Sequence, residues 1–259
     1  GKTASDYSRH RAGFPDELFD RLTGLGICQP GLQVLDLGTG TGSLARGFAK
    51  RGCQVVALDP APELIDEARR IDEREDVRIE YVGGTAERTQ REDASFDVVM
   101  AGQAWHWFDR PQTIREVKRV LRPEGWLLIA HFDWLPLPDN VVEATEQLID
   151  TYNPEWQMGG STGVHSAWLT DVRAAGFVAV ETFSFDTSVR YSHAAWRGRV
   201  RASAGVQASL SPDEVARFDE RLRRALVERF ADEPLEVPHC VWALTCRLPR
   251  TPVLANRRA

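Results

Sequence analysis

Along the first half of the chain, short apolar runs rich in Val, Ile and Leu alternate with stretches where apolar residues recur every three or four positions. The runs predict strands at Gln33–Leu37, Gln54–Leu58, Val77–Val82, Phe96–Ala101 and Trp126–His131. The helical spacing predicts helices at Leu44–Arg51, Ala61–Ile71 and Gln112–Leu121, with a short amphipathic helix at Pro15–Leu22 ahead of the first strand. Arg122-Pro123-Glu124-Gly125 reads as a turn that stops the last of these helices. Strands alternating with helices in this way specify a mostly parallel sheet covered on both faces, a doubly wound α/β fold.

After residue 131 the pattern loosens. Helices are expected at Asn140–Thr151, Ser166–Ala175 and Pro212–Arg229, with strands near Val178–Phe185 and at His239–Arg247. The last strand closes the sheet as its antiparallel edge, giving seven strands. The long excursion between the two final strands, about 186–236, reads as a helical cap. The chain thus divides into a ligand-binding core with an N-terminal lid helix, 1–131, and a second half, 132–259, that completes the sheet and carries the cap.

Composition narrows the chemistry. A formal net charge of −6 and a pI near 5.6 supply no broad cationic field for a nucleic-acid backbone. No apolar run approaches the roughly 20 residues a membrane span requires, and the polar start lacks a secretory pattern, so a cytoplasmic protein without a membrane partner is expected. The four cysteines are scattered without a C-x-x-C pair, and no metal site is expected.

The most informative segment is Val34-Leu35-Asp36-Leu37-Gly38-Thr39-Gly40-Thr41-Gly42, a buried strand running into a glycine-rich turn and then a helix. Such a turn lets a ligand approach the backbone. Ser43 stands where a dinucleotide fingerprint wants its third small residue. Asp36, two residues before the first glycine, would repel a pyrophosphate and attract the ammonium and sulfonium of S-adenosylmethionine (SAM). Asp59 ends the second strand and precedes Pro60. A carboxylate there can accept hydrogen bonds from both hydroxyls of a ribose.

These segments, with Gly84-Thr85-Ala86-Glu87 and Gln103-Ala104-Trp105-His106-Trp107-Phe108, resemble the class I SAM-dependent methyltransferases. The last string is similar to the type 11 small-molecule group that includes trans-aconitate methyltransferase-like enzymes. The resemblance covers about Tyr7 to Ile129 and implies a Rossmann-like sheet, SAM as cofactor and S-adenosylhomocysteine as product. Carried onto this sequence, the cofactor-binding roles fall on Asp36, Gly38, Thr39, Gly40, Asp59, Pro60, Thr85, Ala86 and Gln103. Thr85 departs from the acid often found at that position. Tyr7 lies in a stretch that resembles an N-terminal segment folding over the cofactor in such enzymes, and is a candidate substrate contact.

In an open α/β sheet the ligand lies beyond the carboxyl ends of the strands, which puts Gly102–Trp107 at the reaction centre. The segment lacks the Asn- or Asp-Pro-Pro-aromatic string of base methylases. His106 is the candidate general base. Trp107 and Trp134 are candidate walls of the acceptor site, and Arg197, in the densest cationic stretch of the chain, is a candidate anion contact. A small molecule methylated on a hydroxyl or carboxyl oxygen is the expected acceptor. An NAD(P)-dependent oxidoreductase and a non-catalytic SAM-binding protein are the rivals, and the oligomeric state is left open.

Overall fold

In the computed structural model of the chain, the structure describes residues 12–250; Tyr7 lies outside them. The first half builds β1 (Gln33–Leu37), β2 (Gln54–Asp59), β3 (Glu80–Gly83) and β4 (Phe96–Gly102), with α1 (Asp16–Gly24) ahead of β1. Between and after the strands run α2 (Ser43–Ala49), α3 (Pro62–Glu75) and α4 (Arg110–Val120). The second half adds β5 (Leu121–Trp134), α5 (Val141–Tyr152), α6 (Trp168–Ala174), β6 (Val178–Tyr191), α7 (His193–Arg201), α8 (Pro212–Arg229) and β7 (Leu235–Arg247).

The helices start where local chemistry stops the preceding chain. Asp109, Asn140 and Ser192 each accept a backbone N–H of the first turn that follows, and Ser211 with Glu214 forms a reciprocal capping box for α8. Proline in the first turn of α3, α4 and α8 removes a donor that a helix would leave unbonded.

The seven strands form one sheet in the order β3-β2-β1-β4-β5-β7-β6. β1 pairs in parallel with both β2 and β4, so the chain winds outward in two directions from β1. The crevice between the carboxyl ends of β1 and β4 is therefore a topological switch point. β7 runs antiparallel to β5 on one side and β6 on the other, which makes the antiparallel edge a pair of strands.

One face of the sheet packs Leu18, Phe48, Ile65 and Met100 together, and the other packs Trp105, Val117, Trp168 and Trp242. A third apolar cluster, around Trp196, Phe218 and Leu222, joins α5, α7 and α8 into a helical layer of its own. The four cysteines are buried and unbridged. No described helix is long and apolar enough to cross a membrane.

Three expectations shift. β3 starts at Glu80 because Val77 is used in closing α3: its N–H donates to the Asp72 carbonyl, and Asp76 takes a left-handed φ of 51°. The expected turn at Arg122–Gly125 is absorbed into β5 as an irregularity stitched to the end of β7, through Glu124 N–H to Leu248 O at 3.0 Å and Leu248 N–H to Gly125 O at 2.9 Å. The excursion expected at about 186–236 begins as strand, since β6 pairs with β7 as far as Tyr191 opposite Leu235.

Gly47 is where α2 meets α1 most closely: a Cβ there would stand 2.0 Å from Phe19 Cζ. Gly47→Ala is expected to destabilise by about 1–3 kcal/mol through overpacking. Thermal unfolding should report a Tm lower by about 2–4 °C per kcal/mol; an unchanged Tm would mean that Phe19 moves aside freely.

Candidate active site

Two adjoining cavities open at the carboxyl ends of the central strands. The smaller, about 520 Å³, runs under the glycine turn and is lined by Asp36, Gly38, Gly40, Asp59, Pro60 and Gln103 among others. Ala12, Gly13 and Phe14 close one side of it, so the described end of the N-terminal segment covers this cleft. The larger, about 1660 Å³, lies between the sheet and the helical layer. Leu64, Gln103, Trp107 and Phe132 line both, and form a common wall.

The turn is built from glycines for two reasons. Gly38 has φ of 65° and a Cβ on it would meet the Ala104 Cβ at 2.9 Å, so the turn packs tightly on the segment after β4. Gly40, at φ of 57°, has open space beside it. Behind the turn, Arg46 donates to the carbonyls of Thr41 and Gly42 and pairs with buried Asp72 at 2.7 Å; the Tyr81 hydroxyl also donates to Asp72, at 2.8 Å. A charge-assisted network of this kind holds the backbone rigid without a ligand's help.

Asp36 is 1% exposed, with one carboxylate oxygen accepting the Thr39 hydroxyl at 2.6 Å and the other lacking a hydrogen-bond partner. Burial pushes its pKa up to about 7, with Thr39 opposing and the charge of Asp59 adding to the rise. A cation placed between these two acids relieves both desolvation and mutual repulsion; a pyrophosphate worsens them. Asp59 accepts Gly40 N–H at 2.8 Å on one oxygen and Ala61 N–H at 2.9 Å on the other. It ties the glycine turn to the start of α3, and each oxygen has a second lone pair not used by these bonds.

Of the other cofactor-side candidates, Thr39, Gly40, Pro60 and Gln103 line the cleft, and Gln103 is fixed by donating to the Phe132 carbonyl. Thr85 and Ala86 do not line it: Thr85 is exposed, Ala86 is buried, and Glu87 accepts Asp109 N–H at 3.1 Å. The bridge from Thr85 to Arg88 turns the chain there before it reaches the turn's ligand face.

Trp105–Trp107 is a single turn of 3₁₀ helix, and it sends its two tryptophans to different places. Trp105 is fully buried in the core, while Trp107 is 66% exposed and stands in the common wall. His106 is exposed on the larger cavity, its ring 5.4 Å from that of His131. Trp134 also lines this cavity, held by donating Nε1–H to Glu146 at 2.8 Å.

Arg197 is corrected by the structure. It pairs with Asp219 of α8 together with Arg201, four residues on, and lines neither cavity. Arg199, between them on α7, turns the other way and lines the larger cavity.

The fold also gathers residues that the sequence left apart. His131 and Asp133, alternate residues at the end of β5, meet His165 from the loop before α6. His165 Nε2 lies 2.7 Å from one Asp133 oxygen, His131 Nδ1 lies 3.5 Å from the other, and the three offer ligand atoms within 4.8 Å of one another. Burial raises the Asp133 pKa, but hydrogen bonds from His131 and His165 outweigh it and hold the carboxyl below its usual range. The signal available in sequence was the His-x-Asp spacing at a strand's carboxyl end; the partner is 32 residues away from Asp133 and unmarked.

Residues 35–129 match the family model described as a methyltransferase domain. An uncharacterized methyltransferase of Mycobacterium tuberculosis is 41% identical over 127 residues, which is 49% of this chain and 49% of that protein. The malonyl-[acyl-carrier protein] O-methyltransferase of Serratia marcescens is 35% identical over 120 residues, 46% of each. The chain spans about half the length of these relatives. Among solved structures, the phosphoethanolamine N-methyltransferase 2 of Haemonchus contortus in complex with SAM shares the fold with a TM-score of 0.57, at 18% identity over 95% of this chain and 57% of that one. The match over residues 35–129 supports a methyltransferase with SAM as its cofactor.

Asp59→Ala should weaken SAM binding by at least about tenfold, since each charge-assisted bond lost is worth about 1.5–3 kcal/mol. Calorimetric titration would check this, and unchanged affinity would remove Asp59 from the ribose site. Because the Asp36 pKa in the folded chain lies above the ordinary 3.8, this carboxyl withdraws stability as pH rises from 3.8 toward about 7. A cation beside it favours the ionised form, so SAM affinity should rise as pH climbs through about 7, and Asp36→Asn should flatten that dependence. A slope the same in both proteins would contradict the pairing.

Proposed function

We propose that this chain transfers a methyl group from SAM to an oxygen of a small-molecule acceptor, an alcohol, phenol or carboxylate, held in the larger cavity. The observation that carries this reading is the common wall of Leu64, Gln103, Trp107 and Phe132, across which a cofactor in the glycine cleft and an acceptor under the helices would meet. Residues 132–259 in this reading complete the sheet and supply specificity through the helical layer. The Gln103–Phe108 string is our reason for grouping the chain with trans-aconitate methyltransferase-like enzymes.

The cleft fits the cofactor by its chemistry: Asp36 has an oxygen without a partner, Gly40 leaves open space on the cleft, and Asp59 has lone pairs to spare. Gly38 and Gly40 would underlie the methionine portion, Asp36 its positive charge, and Asp59 the ribose hydroxyls. SAM, when bound, supplies a methyl carbon already activated by a positively charged sulfur.

The chain's remaining work is to position the acceptor and keep water out, which can supply about 7–11 kcal/mol of a bimolecular barrier. Trp107 stands where the two ligands would meet and shields the meeting point from solvent. For a hydroxyl acceptor, His106 at the cavity's edge takes the proton; a carboxylate acceptor needs no base. The acidic balance of the chain disfavours a nucleic-acid acceptor.

Incubation with methyl-labelled SAM and a metabolite pool, read by mass spectrometry, should yield a labelled small-molecule product. With such a product in hand, His106→Ala should lower kcat by about a hundredfold or more for a hydroxyl acceptor and leave SAM affinity nearly unchanged. Equal turnover would make His106 a packing residue. Binding of NAD in place of SAM would overturn the whole reading.

A further inference from the structure

The helix α7 carries three arginines at alternate positions, and the structure separates their roles. Arg197 and Arg201, four residues apart, share one face and both bond Asp219. Arg199 lies on the opposite face, under the helical layer, and among the described ion pairs it has no carboxylate partner. Its guanidinium sits 4.7 Å over the Trp134 ring, with the Tyr191 side chain nearby. Burial holds its pKa below the ordinary value, opposed by Tyr191 and by the more distant charge of Asp133.

Asp133 does not neutralise Arg199 by contact, because one of its oxygens is bonded by His165 and the other faces His131. A guanidinium carries five N–H donors, and Arg199 lines the larger cavity with no carboxylate on them among the described ion pairs. Half-buried on the cavity wall, such a cation is best satisfied by an anion that enters the cavity. The surroundings say what else the anion is attached to. Trp107, Trp134, Trp156, Met158, Trp168 and Leu210 give the cavity apolar and aromatic walls, and its volume of about 1660 Å³ exceeds the roughly 300–1,000 Å³ of an ordinary ligand site.

We propose that Arg199 is the receptor for a carboxylate on the acceptor molecule, so that the substrate is an amphiphilic carboxylic acid with a large apolar or aromatic body. The charge count favours a carboxylate over a phosphate. One free arginine balances one negative charge, Arg197 and Arg201 are spent on Asp219, and Asp133 repels a second negative charge. A planar carboxylate also fits the guanidinium fork.

The carboxylate is the handle and not the methylated group. Arg199 lines the larger cavity alone and takes no part in the common wall. A carboxylate held in the fork also has its lone pairs engaged and is a poorer nucleophile. The methyl acceptor is therefore a hydroxyl elsewhere on the same molecule, on the side of His106 and Trp107. This assignment rests on the methyltransferase reading for the acceptor's role, and on Arg199 alone for the acid.

The test is a titration of the tryptophan-rich cavity by fluorescence, with and without S-adenosylhomocysteine, using dodecanoate and naphthoate, their methyl esters, and dodecyl phosphate. At least one of the two acids should bind the unaltered protein about tenfold or more tightly than its methyl ester, as expected for a desolvated charge pair. Arg199→Met should erase that preference, Arg199→Lys should keep part of it, and both variants should bind S-adenosylhomocysteine as the parent does. Esters binding as well as acids, a preference that survives Arg199→Met, dodecyl phosphate binding more tightly than dodecanoate, or failure of both acids to bind would each overturn the receptor. Acid preference without S-adenosylhomocysteine binding would uphold the receptor and bring down the methyltransferase reading. The reverse would bring down the receptor alone.

Discussion

Two carboxylates, Asp36 and Asp59, are held in one dry cleft at the ends of neighbouring parallel strands, and much else in the molecule follows from keeping them there. Their proximity is costly, which is why burial and mutual repulsion lift the Asp36 pKa to about 7. The cost is tolerated because rigid partners hold each group: Thr39 for Asp36, and the amides of Gly40 and Ala61 for Asp59. Arg46, anchored on Asp72, braces the glycine turn from behind. A cationic ligand completes this arrangement electrostatically, and that preference separates this sheet from its dinucleotide-binding counterparts.

The larger cavity uses a different principle. It is formed where the helical layer of α5, α7 and α8 leans over the sheet, and its walls are mainly aromatic. Among the polar groups that reach it are the His131, Asp133 and His165 cluster at the end of β5 and Arg199 on α7. An apolar enclosure with a few directed polar groups orients a ligand by shape and anchors it by charge. The matched family segment ends at residue 129, before any of these groups.

Much of the fold was legible in the residues. The alternation of apolar runs and helical spacing placed the central strands within a few residues, and the Asp36–Gly42 and Asp59 segments marked residues that line the smaller cleft. The errors have physical sources. Val77 has strand-like character but is consumed in closing α3, and Arg122–Gly125 keeps its turn chemistry as a bulge within β5, with Glu124 at a φ of 64° and bonds to Leu248. Thr85 and Ala86 were transferred by resemblance to a position that the local bridge to Arg88 directs elsewhere.

What the sequence by itself determined is what repeats along the chain or depends on neighbours in it: the sheet's class, the glycine turn, the helix caps and the sign of charge beside the turn. Tertiary structure alone decided which distant side chains meet. It chose Asp219 as the partner of Arg197 and Arg201, turned Arg199 inward, and set His165 against Asp133. The reason is that a helix or strand fixes the angle between its own side chains, whereas the identity of the facing surface depends on how whole elements pack.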